Sequence, residues 1–140
     1  MTPPFPPSSQ HLAGTHSRIV DQCQLGLAIR LANSFASRLQ GLIGHPQIQL
    51  KQGLLIKPCS SVHTAWVRYP IDVIFMDKFG LITRIVVNLK PWRMAKAPGW
   101  LKSSCMVLEL ASGQAQALGL EAGMIIRIDY TKLNKQVYGY

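Results

Sequence analysis

The chain has 140 residues, a length that fits one domain with a single hydrophobic core. Hydrophobic residues make up 48% and charged residues 15%, a balance that excludes global disorder because enough apolar surface exists to offset the loss of chain entropy. Fifteen Lys and Arg against six Asp and Glu give a formal net charge of +9, so an anionic partner has to be considered. The basic residues are scattered, which is more typical of a solubilising surface.

Three cysteines, Cys23, Cys59 and Cys105, lie far apart and form no CxxC pair. Their odd number and wide spacing disfavour both the disulfide scaffold of a secreted protein and a structural zinc site. We therefore expect a cytoplasmic protein. We also predict no membrane span, since the sequence has neither a signal-peptide pattern nor eighteen consecutive apolar residues.

The domain boundaries follow from composition. Residues 1–17 are rich in proline and small polar residues, which neither donate to a β ladder nor build a core. We expect this segment to be a flexible tail. A single β-rich domain is predicted over residues 18–132, followed by a short C-terminal tail at residues 133–140.

The first half of the expected domain combines strands with one short helix. Apolar residues at every second position predict a strand from Leu25, and Asn33 or Ser34 can cap a helix that ends at Gly44. Proline-bounded apolar or β-branched runs predict three further strands: Gly53 to Ile56, Ser61 to Thr64 and Asp72 to Met76. Alternation along the last of these places Phe75 in the core.

The second half begins with a hairpin turn predicted at Asp77 to Gly80, which leads into the longest predicted strand, Leu81 to Leu89. Two further strands are predicted at Cys105 to Leu110 and Met124 to Asp129, on either side of a helical turn opened by Ser112. Strands joined mainly by turns predict a mainly β fold, either a compact antiparallel β-sandwich or a small barrel-like domain with one or two short helices.

Five pieces of the sequence are jointly specific in their order and spacing. They are Arg38 to Leu42, Gly53 to Leu55, His63-Thr64, Pro70 to Asp77 and Leu108 to Gly113. On these pieces the chain resembles domain of unknown function 192, a family widespread in bacteria and archaea. The resemblance implies a compact β-sandwich or barrel-like fold and supplies no reaction or catalytic residue. Trp66-Val67 and Met124 depart from it, standing where Gly-Met and Asp are usual.

Four polar residues of the body are candidates for a binding site: His63, Thr64, Asp72 and Glu109. The favoured interpretation is architectural, because buried polar side chains usually satisfy backbone groups. An enzymatic interpretation uses Cys59 as a nucleophile that the His63 imidazole activates, with the imidazole oriented by a carboxylate, Asp72 or Glu109. One histidine and two carboxylates without regular ligand spacing predict no metal site.

The loop from Lys90 to Lys102 mixes four cations with two tryptophans. Its residues Trp92, Arg93, Lys96 and Trp100 are suited to stacking on bases and contacting phosphates. The interpretation we favour is that the tryptophans fold back over a sheet edge beneath the lysine stems, so nucleic-acid binding is possible but not favoured.

The leading functional hypothesis is a binding module for a small molecule or a protein partner, with a cleft near His63, Asp72 and the Trp92 to Trp100 loop. No cofactor is predicted. The alternatives are a cytoplasmic hydrolase or transferase that uses Cys59 or His63, and a nucleic-acid-binding accessory domain.

Overall fold

The computed structural model describes residues 17–32, 47–65, 67–99 and 105–135. The N-terminal tail predicted at residues 1–17 lies outside the described residues except for its last residue. The helix predicted between Asn33 and Gly44 also lies outside them.

The described residues form ten strands, two short α-helices and one 3-10 helix. In chain order these are β1 (Ile19–Asp21), α1 (Gln22–Leu25), β2 (Ala28–Ala32), β3 (Gln52–Ile56), β4 (Ser61–His63), β5 (Ile71–Asp77), β6 (Ile82–Leu89), β7 (Met94–Lys96), β8 (Cys105–Ala111), α2 (Gln114–Ala117), β9 (Ile125–Arg127), the 3-10 helix (Tyr130–Lys132) and β10 (Asn134–Lys135).

The central element is a six-stranded sheet with the order β10-β2-β3-β8-β5-β6. Strand β2 is parallel to β10 and β3, whereas the other pairs in this sheet are antiparallel. The long connection between β2 and β3 gives the chain room for a parallel crossover. A parallel β1–β9 pair and an antiparallel β4–β7 pair complete the fold. The mainly β class with two short helices is confirmed, and the sheets are open rather than closed into a barrel.

The central sheet is buried on both faces, because side chains of β5 and β8 alternate between two apolar clusters. Ile74 and Leu108 belong to the first core, which is covered by the β1–β9 pair. Phe75, Val73 and Val107 belong to the second core, which is covered by the β4–β7 pair. Burial on both faces explains why β5 and β8 read as continuous apolar runs in the sequence. The expected core position of Phe75 is confirmed.

The predicted hairpin between β5 and β6 is present and docks on β9. The Asp77 carboxylate accepts hydrogen bonds from the backbone N–H groups of Phe79 and Leu81, at 2.8 and 3.0 Å. Gly80 follows with a positive φ of 89°, and its carbonyl accepts a hydrogen bond from the Ile126 N–H at 2.9 Å. A Cβ at this position would overlap the Ile126 carbonyl oxygen, so the close approach of the two segments requires glycine.

The observed strands and helices differ from the expected ones mainly in short segments whose strand partners lie far away in the sequence. The strand expected from Leu25 begins at Ala28, because Gln22–Leu25 forms α1 and Gly26 ends it in a left-handed conformation. The helical turn begins at Gln114 instead of Ser112. Strand β7 lies inside the predicted loop and β10 inside the predicted C-terminal tail; both exist because of pairing with β4 and β2.

Replacing Phe75 with alanine should lower the free energy of unfolding by about 3 to 5 kcal/mol, because its ring is fully buried in the second core. Chemical denaturation of the wild type and the variant measures this loss. Val87→Ala in β6 is the matched control: Val87 is 59% exposed, and its truncation should change stability by less than about 1 kcal/mol. An equal loss of unfolding free energy in the two variants would contradict the burial of Phe75 in the second core.

Candidate functional site

The central sheet separates two of the candidate residues. In the β5–β8 register, Asp72 pairs with Leu110 and Val73 pairs with Glu109. Because neighbouring positions of a strand point to opposite faces, Asp72 faces the first core and Glu109 faces the second. His63 lies on neither face, since it is exposed on the separate β4–β7 pair. The three residues therefore do not line a common cleft.

Asp72 acts as a backbone clamp inside the first core. Its Oδ1 accepts a hydrogen bond from the Asn88 N–H at 2.8 Å, and its Oδ2 accepts one from the Ala115 N–H at 2.9 Å. Asn88 has a positive φ of 52° and sits where the β5–β6 register shifts, while Ala115 lies in α2. The buried carboxylate thus holds the end of β6 and the start of α2 against β5. These hydrogen bonds give Asp72 a structural part in joining β5, β6 and α2.

Thr64 is fully buried and organises the turn before β7. Its hydroxyl donates to the Lys90 carbonyl at 2.6 Å and accepts from the Arg93 N–H at 2.8 Å. Its own backbone carbonyl accepts a hydrogen bond from the Trp92 N–H at 3.1 Å. Thr64 therefore has a structural role. Its hydrogen bonds fix the turn that carries the side chains of Trp92 and Arg93.

The β4–β7 pair, here called the arm, has one face in the core and one in solvent. Val62 and Ala95 are opposite each other and pack into the second core. His63 is opposite Met94, and Lys96 is one pair further along the same outer face. His63 and Lys96 are exposed, and Met94 is 50% exposed. The outer face of the arm therefore presents an imidazole, a thioether and an ammonium group to solvent.

The turn before β7 extends this surface. Trp92 is 59% exposed, which is not what a tryptophan folded back over a sheet edge would show. Arg93 is exposed beside it, and Arg84 of β6 joins the arm by donating from Nη1 to the Lys96 carbonyl at 2.6 Å. Residues 57–70 and 88–99 contain no Asp or Glu. We call Arg84, Trp92, Arg93, Met94 and Lys96 the basic arm surface.

Sequence reasoning selected Trp92, Arg93 and Lys96 but missed Arg84 and Met94. Arg84 joins the surface only through a contact between β6 and β7, for which no local sequence signal exists. Met94 lies opposite His63 because of the register between β4 and β7. The sequence does not reveal this register, since it predicts a loop where β7 lies. Trp100 lies outside the described residues.

Glu109 lies in the middle of β8 and faces the second core. It is in register with Leu54 of β3 and Val73 of β5, and Arg30 of β2 is the next residue in this row beyond Leu54. The Glu109 side chain is buried, and its Oε2 has no hydrogen-bond partner among the described residues. Because burial disfavours the charged carboxylate, the pKa of Glu109 is raised from 4.5 to about 8.

Tyr69, just before β5, lies close enough to feel the charge of Glu109. Burial raises the pKa of the Tyr69 phenol, and the negative charge of Glu109 raises it further. A hydrogen bond with the backbone of Ile48 and the positive charge of Arg30 act in the opposite direction. Glu109, Tyr69 and Arg30 are here called the Glu109 cluster. Tyr69 and Arg30 are half-buried, so the cluster lies at the boundary between the second core and solvent.

The residues suggested for nucleophilic chemistry are not arranged for it. The Cys59 thiol donates to the Ser61 carbonyl at 3.1 Å and the residue packs against the second core, whereas His63 points to the outer face of the arm. Both carboxylate oxygens of Asp72 are bound to backbone amides on the far side of the sheet. Among the described residues, no group of three His, Cys, Asp or Glu side chains could hold a metal ion.

Replacing Asp72 with alanine should destabilise the fold by about 3 kcal/mol, because the buried N–H of Ala115 and the partly buried N–H of Asn88 lose their acceptor. Equilibrium denaturation measures the loss. Asp77→Ala provides a comparison, since the amides that Asp77 binds lie in a more exposed turn and should be partly rescued by water. An Asp72 variant as stable as the Asp77 variant would contradict the clamp.

Glu109 should make the stability fall as the pH rises. The folded state keeps the Glu109 proton until about pH 8, whereas an unfolded chain loses it near pH 4.5. Stability is therefore lost between those values, by about 1.4 kcal/mol for each pH unit. Glu109→Gln should remove this slope and be more stable than the wild type at pH 8, as measured by denaturation across pH. The exposed Glu121→Gln should leave the slope unchanged.

Within the described residues, no helix has the length and apolar character needed to cross a membrane.

Two solved structures are similar in fold to this chain. A crystal structure of a protein of unknown function from Novosphingobium aromaticivorans DSM 12444 matches with a TM-score of 0.61 and 23% identity, over 69% of this chain and 71% of that one. A structure from Sinorhizobium meliloti 1021 described as a "putative transcription regulator" matches with a TM-score of 0.59 and 25% identity, over 69% of this chain and 78% of that one. A search of the curated proteins finds no match.

The model of a protein family described as "Uncharacterized ACR", domain of unknown function 192, matches residues 18–128, a range that contains the central sheet strands β2, β3, β8, β5 and β6, the arm and the Glu109 cluster. The chain is therefore a member of the domain of unknown function 192 family.

Proposed function

We propose that this domain is a binding module that engages single-stranded nucleic acid through the basic arm surface. The observation that carries the proposal is the exposure of Trp92 together with the exposed cations Arg93 and Lys96, in a segment, residues 88–99, that contains no Asp or Glu. Single-stranded nucleic acids are bound by this combination, because the cations follow the phosphates while an aromatic ring stacks on a base.

The geometry of the arm supports this division of roles. Lys96 and Met94 lie on one outer face, and Arg84 is held beside them by its hydrogen bond to the Lys96 carbonyl. Trp92 and Arg93 follow directly in a turn that Thr64 fixes with hydrogen bonds from its side chain and its backbone. A fixed turn reduces the conformational entropy that would be lost when a strand of nucleic acid binds.

The interpretation favoured from the sequence, in which Trp92 covers a sheet edge, is replaced here because most of the Trp92 surface is open to solvent. The description of the Sinorhizobium meliloti neighbour as a "putative transcription regulator" is in keeping with a nucleic-acid partner.

The enzymatic alternative has less support, since Cys59, His63 and Asp72 point to three different environments. A cytoplasmic location remains part of the proposal, because Cys23, Cys59 and Cys105 form no disulfide.

The test measures the affinity of labelled single-stranded RNA and DNA by fluorescence anisotropy across a salt series. The double variant Arg93→Gln/Lys96→Gln should bind more weakly, with a shallower salt dependence, because each lost phosphate contact lowers the slope of log K against log salt by about 0.7. Trp92→Ala should weaken binding by about 1 to 3 kcal/mol while leaving the salt slope nearly unchanged.

The control variant is Arg127→Gln/Lys132→Gln, which removes the same charge from exposed residues of β9 and the 3-10 helix, away from the arm. It should bind nearly as well as the wild type. An equal loss in both double variants would show that net charge alone drives binding. If an acidic peptide binds more strongly than either oligonucleotide, the partner of the basic arm surface is an acidic protein and not a nucleic acid.

A further inference from the structure

Two further exposed cations, Arg68 and Lys90, lie next to the basic arm surface. No Asp or Glu occurs in residues 22–71 or 78–108. Asp72, the acid nearest to Arg68 in the sequence, faces the first core, and both its oxygens accept hydrogen bonds from backbone amides. Among the described residues, no acid forms an ion pair with Arg68 or Lys90. The charges of these two side chains are therefore open to an anion from solution.

Arg68 and Lys90 lie where two neighbouring segments leave the central sheet. The last pair at this end of the β5–β6 ladder is Ile71 opposite Leu89. Lys90 follows Leu89 directly, and Arg68 lies three residues before Ile71. Because the two strands are antiparallel, the segment that enters β5 and the segment that leaves β6 are side by side at this pair. Both cations therefore stand at the same end of the sheet.

Thr64 ties these two segments to the turn that carries Trp92. Its hydroxyl donates to the Lys90 carbonyl at 2.6 Å, and its carbonyl accepts hydrogen bonds from the N–H groups of Val67 and Trp92 at 3.2 and 3.1 Å. These three bonds use backbone atoms of the partners, while the side chains of Lys90, Trp92 and neighbouring Arg68 are exposed. One buried residue thus fixes the backbone beneath an exposed ring and two exposed cations.

The exposed ring of Trp92 is flanked by cations on both sides. Lys90 precedes Trp92 in the turn and Arg93 follows it, with Lys96 further along the arm. Every internal nucleotide of a single strand has its base between two phosphates, whereas a free mononucleotide has a phosphate on one side only. Cations on both sides of one aromatic ring are therefore complementary to the interior of a strand.

We propose that this surface binds an internal nucleotide of a single strand, whose base stacks on Trp92 between two phosphates. One phosphate contacts Arg93 and Lys96, and the other contacts Lys90 and Arg68. This inference rests on the proposed nucleic-acid binding. It narrows the ligand from any nucleotide to one that carries phosphates on both its 5′ and its 3′ side.

Competition against fluorescently labelled octauridylate, measured by anisotropy at low salt, tests the proposal on the full-length chain. Uridine 3′,5′-bisphosphate should compete at least about tenfold better than uridine 5′-monophosphate or uridine 3′-monophosphate, because it fills both phosphate contacts. Uridine 5′-diphosphate is the matched ligand, since it also carries two phosphoryl groups but places both on one side of the base. It should compete several-fold less well than the bisphosphate. Equal competition by these two ligands would overturn the proposal.

The double variant Arg68→Gln/Lys90→Gln should remove the advantage of the bisphosphate over the monophosphates. It should also lower the slope of log K against log salt for octauridylate by about 1.4, which is two phosphate contacts at about 0.7 each. The substitutions keep the Lys90 carbonyl to which Thr64 donates, so the turn stays in place. Arg127→Gln/Lys132→Gln removes the same charge away from the arm and should leave both quantities unchanged.

Failure of the second phosphate contact is distinguishable from failure of nucleic-acid binding. Suppose that octauridylate binds and that Arg93→Gln/Lys96→Gln weakens it, but that Arg68→Gln/Lys90→Gln leaves the bisphosphate advantage and the salt slope intact. The arm then binds nucleic acid, and the second phosphate contact is wrong. If octauridylate does not bind the wild type, both the proposed function and this inference are wrong.

Discussion

The pairing of β5 with β8 is the interaction on which the other features of this domain depend. The two strands pair over seven residues, from Ile71 opposite Ala111 to Asp77 opposite Cys105, and both faces of the pair are buried. Apolar side chains of both strands are therefore divided between two cores, which the β1–β9 pair and the arm cover. A shift of the register by one residue would exchange these assignments and place Asp72 in the second core.

Asp72 and Glu109 are both buried in this pair of strands, but they differ in whether hydrogen bonds compensate for the burial of the carboxyl group. Burial disfavours a charged carboxylate unless hydrogen bonds compensate for lost water. Asp72 receives backbone N–H groups from two other elements, which makes it part of the scaffold. Glu109 lacks a partner for Oε2 among the described residues, and its raised pKa records the uncompensated burial. An uncompensated group of this kind is a reason to look for function rather than for architecture.

The parts of the fold that could be predicted from the sequence are those with local signals. Apolar runs bounded by Pro70 and Ser112 marked β5 and β8, and the Asp77 to Gly80 turn marked the hairpin. Strand β7 could not be found, because its three residues form a strand only through pairing with β4, about thirty positions earlier. The sequence also could not predict that Asp72 and Glu109 face opposite sides of the sheet, since this follows from the register between distant strands. The sequence left open whether His63, Asp72 and Glu109 share one pocket, and the strand register shows that they lie in three different places.

The Asp72 clamp also has a consequence for the cooperativity of the domain. Its two acceptor oxygens join amides that lie 16 and 43 positions further along the chain, so the clamp is complete only when β5, the end of β6 and α2 are all in place. Opening either the end of β6 or α2 exposes a buried carboxylate and thereby weakens the attachment of the other. The two segments consequently form one unfolding unit, in which the amide hydrogens of Asn88 and Ala115 become available for exchange together.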